Sequence, residues 1–107
     1  MSKTYDNLME AFAGESQANR KYLAFAAQAE KEGCKQAAKM FRAAAEAETI
    51  HALAHLRNAK EVKTTAANLQ AAIAGETHEC VNMYPAMILD AKNEEEEDLT
   101  EDEKEGG

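Results

Sequence analysis

The sequence predicts an all-α protein: three long helices packed as an antiparallel bundle over residues 1–93, followed by an acidic stretch over 94–107. Three observations carry this. Apolar residues recur at steps of three and four through three segments, the spacing of one helix face. A single Pro and five Gly leave little room for the turns of a sheet. Alanine, the strongest helix former, dominates the apolar residues, which make up 45% of the chain.

The first helix has Ser2 or Thr4 as a cap, and its inner face is Leu8, Ala11, Phe12, Glu15, Ala18, Tyr22, Phe25, Ala26 and Ala29. It is expected to reach Glu32 and stop at Gly33. Gly14 costs about 1 kcal/mol against Ala inside a helix and is expected to allow close packing beside Glu15. The second helix is expected over Lys35–Ala59, its inner face marked by Ala37, Met40 or Phe41, Ala44, Glu48, His51, His55 and Leu56. A short connection, Lys60–Thr65, leads to a third helix capped by Thr64 or Thr65. Leu69, Ala72 or Ile73, Glu76, Cys80, Met83, Met87 and Ala91 repeat along it. Pro85 falls inside that pattern and is expected to kink or end the helix. From Asn93 the periodicity is lost, and the tail is expected to be disordered, because it has no apolar area to bury.

The net charge of −8 belongs to one place. Nine acids and one Lys lie between Glu94 and Glu105, while Met1 to Asn93 balances 11 acids against 11 bases. No basic face exists to neutralise phosphates, which argues against nucleic acid. No apolar run reaches membrane-spanning length, and the start, Met1-Ser2-Lys3-Thr4-Tyr5-Asp6, is polar and unlike a signal peptide. Cys34 and Cys80 form no Cys-x-x-Cys pair. The expectation is a cytoplasmic protein with reduced thiols, Cys34 favoured as thiolate at a helix start, and Cys80 and the methionines Met40, Met83 and Met87 packed as core filler.

The chemistry sits at Glu48-Thr49-Ile50-His51. Residues three apart share a helix face, so Glu48 and His51 both point into the stripe made by Phe41, Ala44, Ala45, Ala52 and Leu56. Burying an unpaired carboxylate is costly, whereas a carboxylate and an imidazole one turn apart can share a divalent metal. Glu-x-x-His is the unit from which di-iron and di-manganese bundles are built. Taken alone it is more often a surface pair or a packed histidine; His55, one turn after His51, reads as a packed or half-exposed side chain, with a metal ligand or a support to the ligands as the alternative. Glu46 points away from Glu48, toward solvent.

An internal repeat changes that weighing. Ala11-Phe12-Ala13-Gly14-Glu15-Ser16 and Ala72-Ile73-Ala74-Gly75-Glu76-Thr77 are one phrase, each followed about two turns on by a tyrosine, Tyr22 and Tyr84. Surface glutamates have no reason to recur in the same apolar frame. Together with Glu48-x-x-His51 and the run Gly75-Glu76-Thr77-His78-Glu79 through Met83-Tyr84-Pro85, the pattern over residues 4–90 resembles rubrerythrin, of the ferritin-like superfamily.

The resemblance implies a carboxylate-bridged di-iron centre inside a four-helix bundle, manganese being the other metal such ligands suit. It implies Glu15 as a terminal ligand, Glu48 as a bridge, His51 as a ligand at the same site and Glu76 as a terminal ligand on the second metal. Glu79 is implied as a ligand that competes with His51 as the redox state changes, with Tyr22 and Tyr84 hydrogen-bonded to ligand carboxylates. The implied activity is reduction of hydrogen peroxide to water, or oxidation of Fe(II). A fourth helix with a second Glu-x-x-His, and a rubredoxin-like domain, are features of that family that these 107 residues do not contain. A second copy of the chain is therefore expected to complete the bundle as a homodimer or higher homo-oligomer. A separate electron donor, such as a rubredoxin-like protein, is expected to re-reduce the metal. The competing expectations are a non-catalytic iron-binding or storage protein, and a structural bundle with vestigial ligands.

Overall fold

The computed structural model describes residues 2–106, with side chains through Glu97. It is helical almost throughout, with no strand among the described residues. Helix α1 spans Lys3–Lys31 and α2 spans Lys35–Asn58; α3 (Thr65–His78) passes through a π-helical turn, Glu79–Met83, into α4, Tyr84–Gly106. The expected all-α class and count of three helices hold, since α3, the turn and α4 follow one another without a break. The chain divides into two compact units, residues 1–63 and 64–107.

The helix ends follow from their residues. Ser2 caps α1 by accepting the Tyr5 N–H, and Thr64 caps α3 by accepting the Ala67 N–H. Gly33, at φ +77°, closes α1 in a Schellman turn. Its own N–H reaches Glu30 O at 3.0 Å, and the Cys34 N–H reaches Ala29 O at 2.8 Å. The end of α2 repeats this geometry with Lys60 at φ +61°, a conformation that disfavours a side chain. There the Lys60 N–H meets Arg57 O at 2.9 Å and the Glu61 N–H meets Leu56 O at 3.1 Å.

In the first unit α1 and α2 form an antiparallel hairpin whose buried core consists of alanines: Ala26 and Ala29 on α1, and Ala38, Ala45 and Ala52 on α2. The three on α2 are seven residues apart, the repeat that keeps one seam turned toward a neighbouring helix. Phe41, Glu48 and His55 fall three residues further along, again seven apart, on the same seam. At the loop end, the rings of Tyr22, Phe25 and Phe41 pack together with centroids 5.5–6.4 Å apart. Asn19 locks the register: its side-chain amide donates to Ala45 O and to Thr49 Oγ1, both at 2.7 Å. The hydroxyl of Tyr5 donates to the Glu61 carboxylate, tying the start of α1 to the end of α2. An Arg42–Glu30 pair at 2.9 Å is half exposed and worth little.

In the second unit the helix has no second helix to pack on within the unit, and its apolar stripe stays open. Cys80, Leu69, Ile73, Met87 and Tyr84 are exposed, so the expected burial of Cys80 and Met87 is not found there; Met83 is half-buried. Met40, on α2, is likewise exposed at 75%, because the alanine seam turns it outward. Pro85 neither ends nor simply kinks the helix. The π turn stands directly before it, with the Tyr84 N–H reaching back to Glu79 O. That wider turn is one of the ways a helix absorbs a residue lacking an N–H. Beyond Asn93 the backbone stays helical where loss of the helix was expected. Glutamate is a good helix former whether or not a stripe is buried. Side chains from Asp98 onward in the 94–107 stretch lie outside the described residues.

Asn19→Ala removes the amide that bridges the helices. It is expected to lower unfolding free energy by about 1–2 kcal/mol, from two lost hydrogen bonds of ordinary strength, read by urea denaturation. The Tyr5 phenol is raised above its ordinary 10.0, first by its hydrogen bond to Glu61, then by desolvation and by the charges of Glu61 and Asp6. A raised group stabilises the fold fully below its unfolded pKa and loses that contribution as pH climbs through the folded one. The tie at Glu61 is therefore expected to hold to about pH 10 and weaken above it. In a spectroscopic titration of tyrosinate, subtracting Tyr5→Phe from the parent chain isolates a component above the ordinary range; a component at or below that range contradicts the tie.

Candidate metal centre

The seam between α1 and α2 brings polar groups together. Glu15 projects from α1 toward α2 and is three-quarters buried. Opposite it, Glu48, His51 and His55 stand on successive turns of α2. One donor atom each from Glu15, Glu48 and His51 lies within 4.8 Å of the others. A cation with bonds of about 2.0–2.2 Å holds its donors no more than about 4.4 Å apart, so a closure of a few tenths of an ångström completes the group.

Within the cluster His51 Nδ1 lies 3.2 Å from Glu15 Oε1, and His55 Nε2 is in contact with Glu15 Oε2. Oε2 is shut off from solvent, yet no aligned hydrogen bond reaches it. A buried carboxylate oxygen in that condition costs folding free energy. His55 gives that oxygen one partner, and a bound cation would give it a second. The donor chemistry agrees: hard carboxylate oxygens with neutral imidazole suit iron, manganese or zinc, and no thiolate takes part. Iron or manganese held there would be ligated by Glu15, Glu48 and His51.

Of the residues the sequence singled out, the first unit gathers Glu15, Glu48 and His51. Tyr22 stands two turns from Glu15, with its ring in the aromatic group of Phe25 and Phe41. Glu76, Glu79 and Tyr84 belong to the second unit, Glu76 exposed on α3 and Glu79 half-buried at the start of the π turn. Gly14 does not serve close packing in this hairpin, for a Cβ built on it meets nothing within 4 Å. Cys34 caps α2 and is exposed, and Cys80 is exposed and free. His55 is half-buried, as expected, and pairs with Glu15 across the hairpin. Its spacing of seven from Glu48 places both on the alanine seam. Among the described residues no helix is long and apolar enough to cross a membrane.

His51 is more than half exposed, not turned into the stripe as expected, because it lies at the rim of the seam; two half-buried carboxylates and this imidazole are the donor types of carboxylate–histidine metal bundles. The comparisons narrow the class: the Rubrerythrin family model matches residues 6–63, more than half of the chain, and the chain belongs to the rubrerythrin family. It is 42% identical over 106 residues to rubrerythrin of Porphyromonas gingivalis, covering 87% of this chain and 53% of that protein. It is 38% identical over 108 residues to nigerythrin of Nitratidesulfovibrio vulgaris (88% and 54%), and 36% identical over 111 residues to a rubrerythrin of that organism (92% and 58%). The chain thus spans about half the length of the curated relatives it matches.

A metal that binds only the folded hairpin must stabilise it. Anaerobic Fe(II) at 100 times its dissociation constant is expected to add about 2.7 kcal/mol, seen as a raised melting midpoint by circular dichroism. Glu15→Gln and Glu48→Gln are expected to abolish the rise. A rise that survives both substitutions places the metal elsewhere.

Proposed function

We propose that the chain forms a non-haem di-iron oxidoreductase centre, reducing hydrogen peroxide or oxidising Fe(II), with the site completed between subunits. The observation that carries this reading is the convergence of Glu15, Glu48 and His51 in a chain of the rubrerythrin family. In the roles the resemblance implies, Glu15 is a terminal ligand, Glu48 the bridge and His51 the imidazole ligand. Glu76 and Glu79 serve the second metal position, and Tyr22 and Tyr84 hydrogen-bond to the carboxylates. Two bound ferrous ions would supply the two electrons that turn hydrogen peroxide and two protons into two waters. A separate electron donor, such as a rubredoxin-like protein, re-reduces the site.

The protein's own part is to hold charge in place. Asn19 fixes the level of α1 against α2, so that Glu15 stays opposite Glu48 and His51 while substrate comes and goes. Positioning of this kind, by groups whose own orientation is locked, is what tunes a bound metal. The carboxylates offset the charge of two cations, and the half-buried seam limits the water that competes with peroxide.

The second copy is favoured by what the hairpin leaves uncovered. Leu23, Phe25, Ile50 and Leu53 are exposed. A groove of about 250 Å³, lined by Phe12, Ser16, Asn19, Thr49, Ala52 and Leu53, runs beside the cluster. Two hairpins packed across a two-fold axis, the commonest symmetry, would place two Glu15, two Glu48 and two His51 around one dinuclear site.

The test combines metal analysis and mass in solution with turnover. Anaerobic Fe(II)-loaded protein mixed with hydrogen peroxide is expected to oxidise within the mixing experiment and to turn over again on re-reduction. Glu48→Ala is expected to lower iron occupancy by about 100-fold or more and to weaken the dimer. Uptake of iron without turnover makes the protein a storage component instead. A monomer that keeps two irons per chain refutes the shared site.

A further inference from the structure

The second unit, residues 64–107, leaves an apolar face uncovered. Leu69, Ile73, Tyr84 and Ile88 are each more than half exposed, and Cys80 between them is exposed and free. Their order is nearly palindromic. Leu69, Ile73 and Glu76 precede Cys80 by eleven, seven and four residues; Tyr84, Ile88 and Ala91 follow it by four, eight and eleven. Steps of three and four keep residues on one helix face. The one longer reach, eight against seven, crosses the π turn Glu79–Met83, and a turn with i→i+5 bonds takes up an added residue. Open apolar faces of this kind mark association surfaces. A pattern that reads alike in both directions fits a copy of itself run the other way. That is the condition of a two-fold interface, where one patch meets the same patch.

We propose that two copies of the chain pair through this face, the continuous helix of α3, π turn and α4 lying antiparallel to its counterpart with the two-fold axis at Cys80. Ile73 then lies level with Ile88 of the second copy, and Leu69 with Ala91. Glu76, the charged residue of the stripe, lies level with Tyr84, whose hydroxyl can donate to it. Charge selects the direction. From Thr64 to Leu89 there are two acids and no Lys or Arg, whereas Glu94 to Glu105 holds nine acids and one Lys. A parallel pair would set two such stretches, each of net −8, side by side. An antiparallel pair sends them to opposite ends. Glu94, fourteen residues after Cys80, then reaches the level of Ala66, fourteen before it. Ala66 lies in the first turn of α3, which has no acid of its own and where the helix dipole favours negative charge. This interface is separate from the hairpin contact proposed above and requires no metal.

The test cross-links the full chain with a short bismaleimide, which adds one thiol to each of its two double bonds. In Cys34→Ser protein, Cys80 is expected to join two copies; in Cys80→Ser protein, Cys34 is expected not to. Direction is read from a mixture of two chains that both carry Cys34→Ser and Cys80→Ser, one with Ile73→Cys and the other with Ile88→Cys. Links between unlike chains are expected to dominate. Ile73→Glu enters a symmetric interface twice and is expected to weaken association by about tenfold or more, read by sedimentation equilibrium. The Fe(II)-dependent rise in melting midpoint, a property of the hairpin, is expected to survive it. Links of like with like at 73 and at 88 mean a parallel pair and overturn the proposal, as does Ile73→Glu protein that associates like the parent. A dimer whose Cys80 does not link overturns the pairing and leaves the hairpin contact standing; a monomeric chain overturns both.

Discussion

The hairpin depends on one steric condition, the close approach of α1 and α2 along a line of alanines. Helix pairs settle at 8–10 Å according to the side chains between them, and Ala38, Ala45 and Ala52 put the smallest practical group at each contact on α2. Only across so narrow a gap can a glutamate on one helix touch imidazoles on the other. The alanines make the spacing but do little to set register, because small smooth side chains slide. The Asn19 amide on Ala45 O and Thr49 Oγ1 sets it, one turn from Glu15 on α1 and beside Glu48 on α2. Structure and site thus share residues: the bond that fixes the hairpin also aims the carboxylate.

This arrangement has a stability consequence. Each alanine removes little apolar area from water, and the larger apolar side chains Phe25, Ile50 and Leu53 stay exposed. Cohesion is left to Asn19, the aromatic group, the Tyr5–Glu61 tie and whatever covers the exposed face. Into this thin core the sequence places Glu15 with one oxygen sealed from solvent and paired only with the His55 imidazole. Natural sequences break local rules of this kind at functional positions and compensate elsewhere. In the proposed centre the compensation would be a cation, and metal binding and folding of the hairpin would then be two aspects of one equilibrium.

Much of this was legible before any coordinates. Helix spans came from periodicity, the ends from Ser2, Gly33 and Thr64, and the gathered group from a carboxylate and an imidazole standing in an apolar stripe. The failures have physical causes. Cys80 and Met87 lie on an apolar stripe, but a stripe becomes a core only against a second surface, and the second unit contains none. Pro85 was read through its missing N–H alone, and the π turn that accommodates it leaves no mark on apolar spacing. Past Asn93, loss of amphipathic pattern was taken as loss of helix, whereas glutamate-rich backbone needs no buried face to be helical.

The internal repeat shows where a site's information resides. Glu15 and Glu76 sit in the same phrase, each after Ala-x-Ala-Gly or its counterpart, yet Glu15 is three-quarters buried and Glu76 is exposed. Their helices do not account for the difference, since both lie well inside regular α-helix. Glu15 has α2 facing it at alanine distance, with imidazoles at the right level; Glu76 has no such neighbour within its own unit. The phrase specifies a helix that can present a carboxylate inward, and a facing seam converts that carboxylate into a ligand. Near Glu76 the backbone carries a device that the first copy lacks, the π turn beginning at Glu79. An i+5 turn changes the rotational phase of everything after it, so Tyr84 is not aimed relative to Glu76 as a plain helix would aim it. The two copies therefore start from one phrase and diverge in geometry: the first faces a second helix across its own hairpin, and the second is a helix that runs into a π turn.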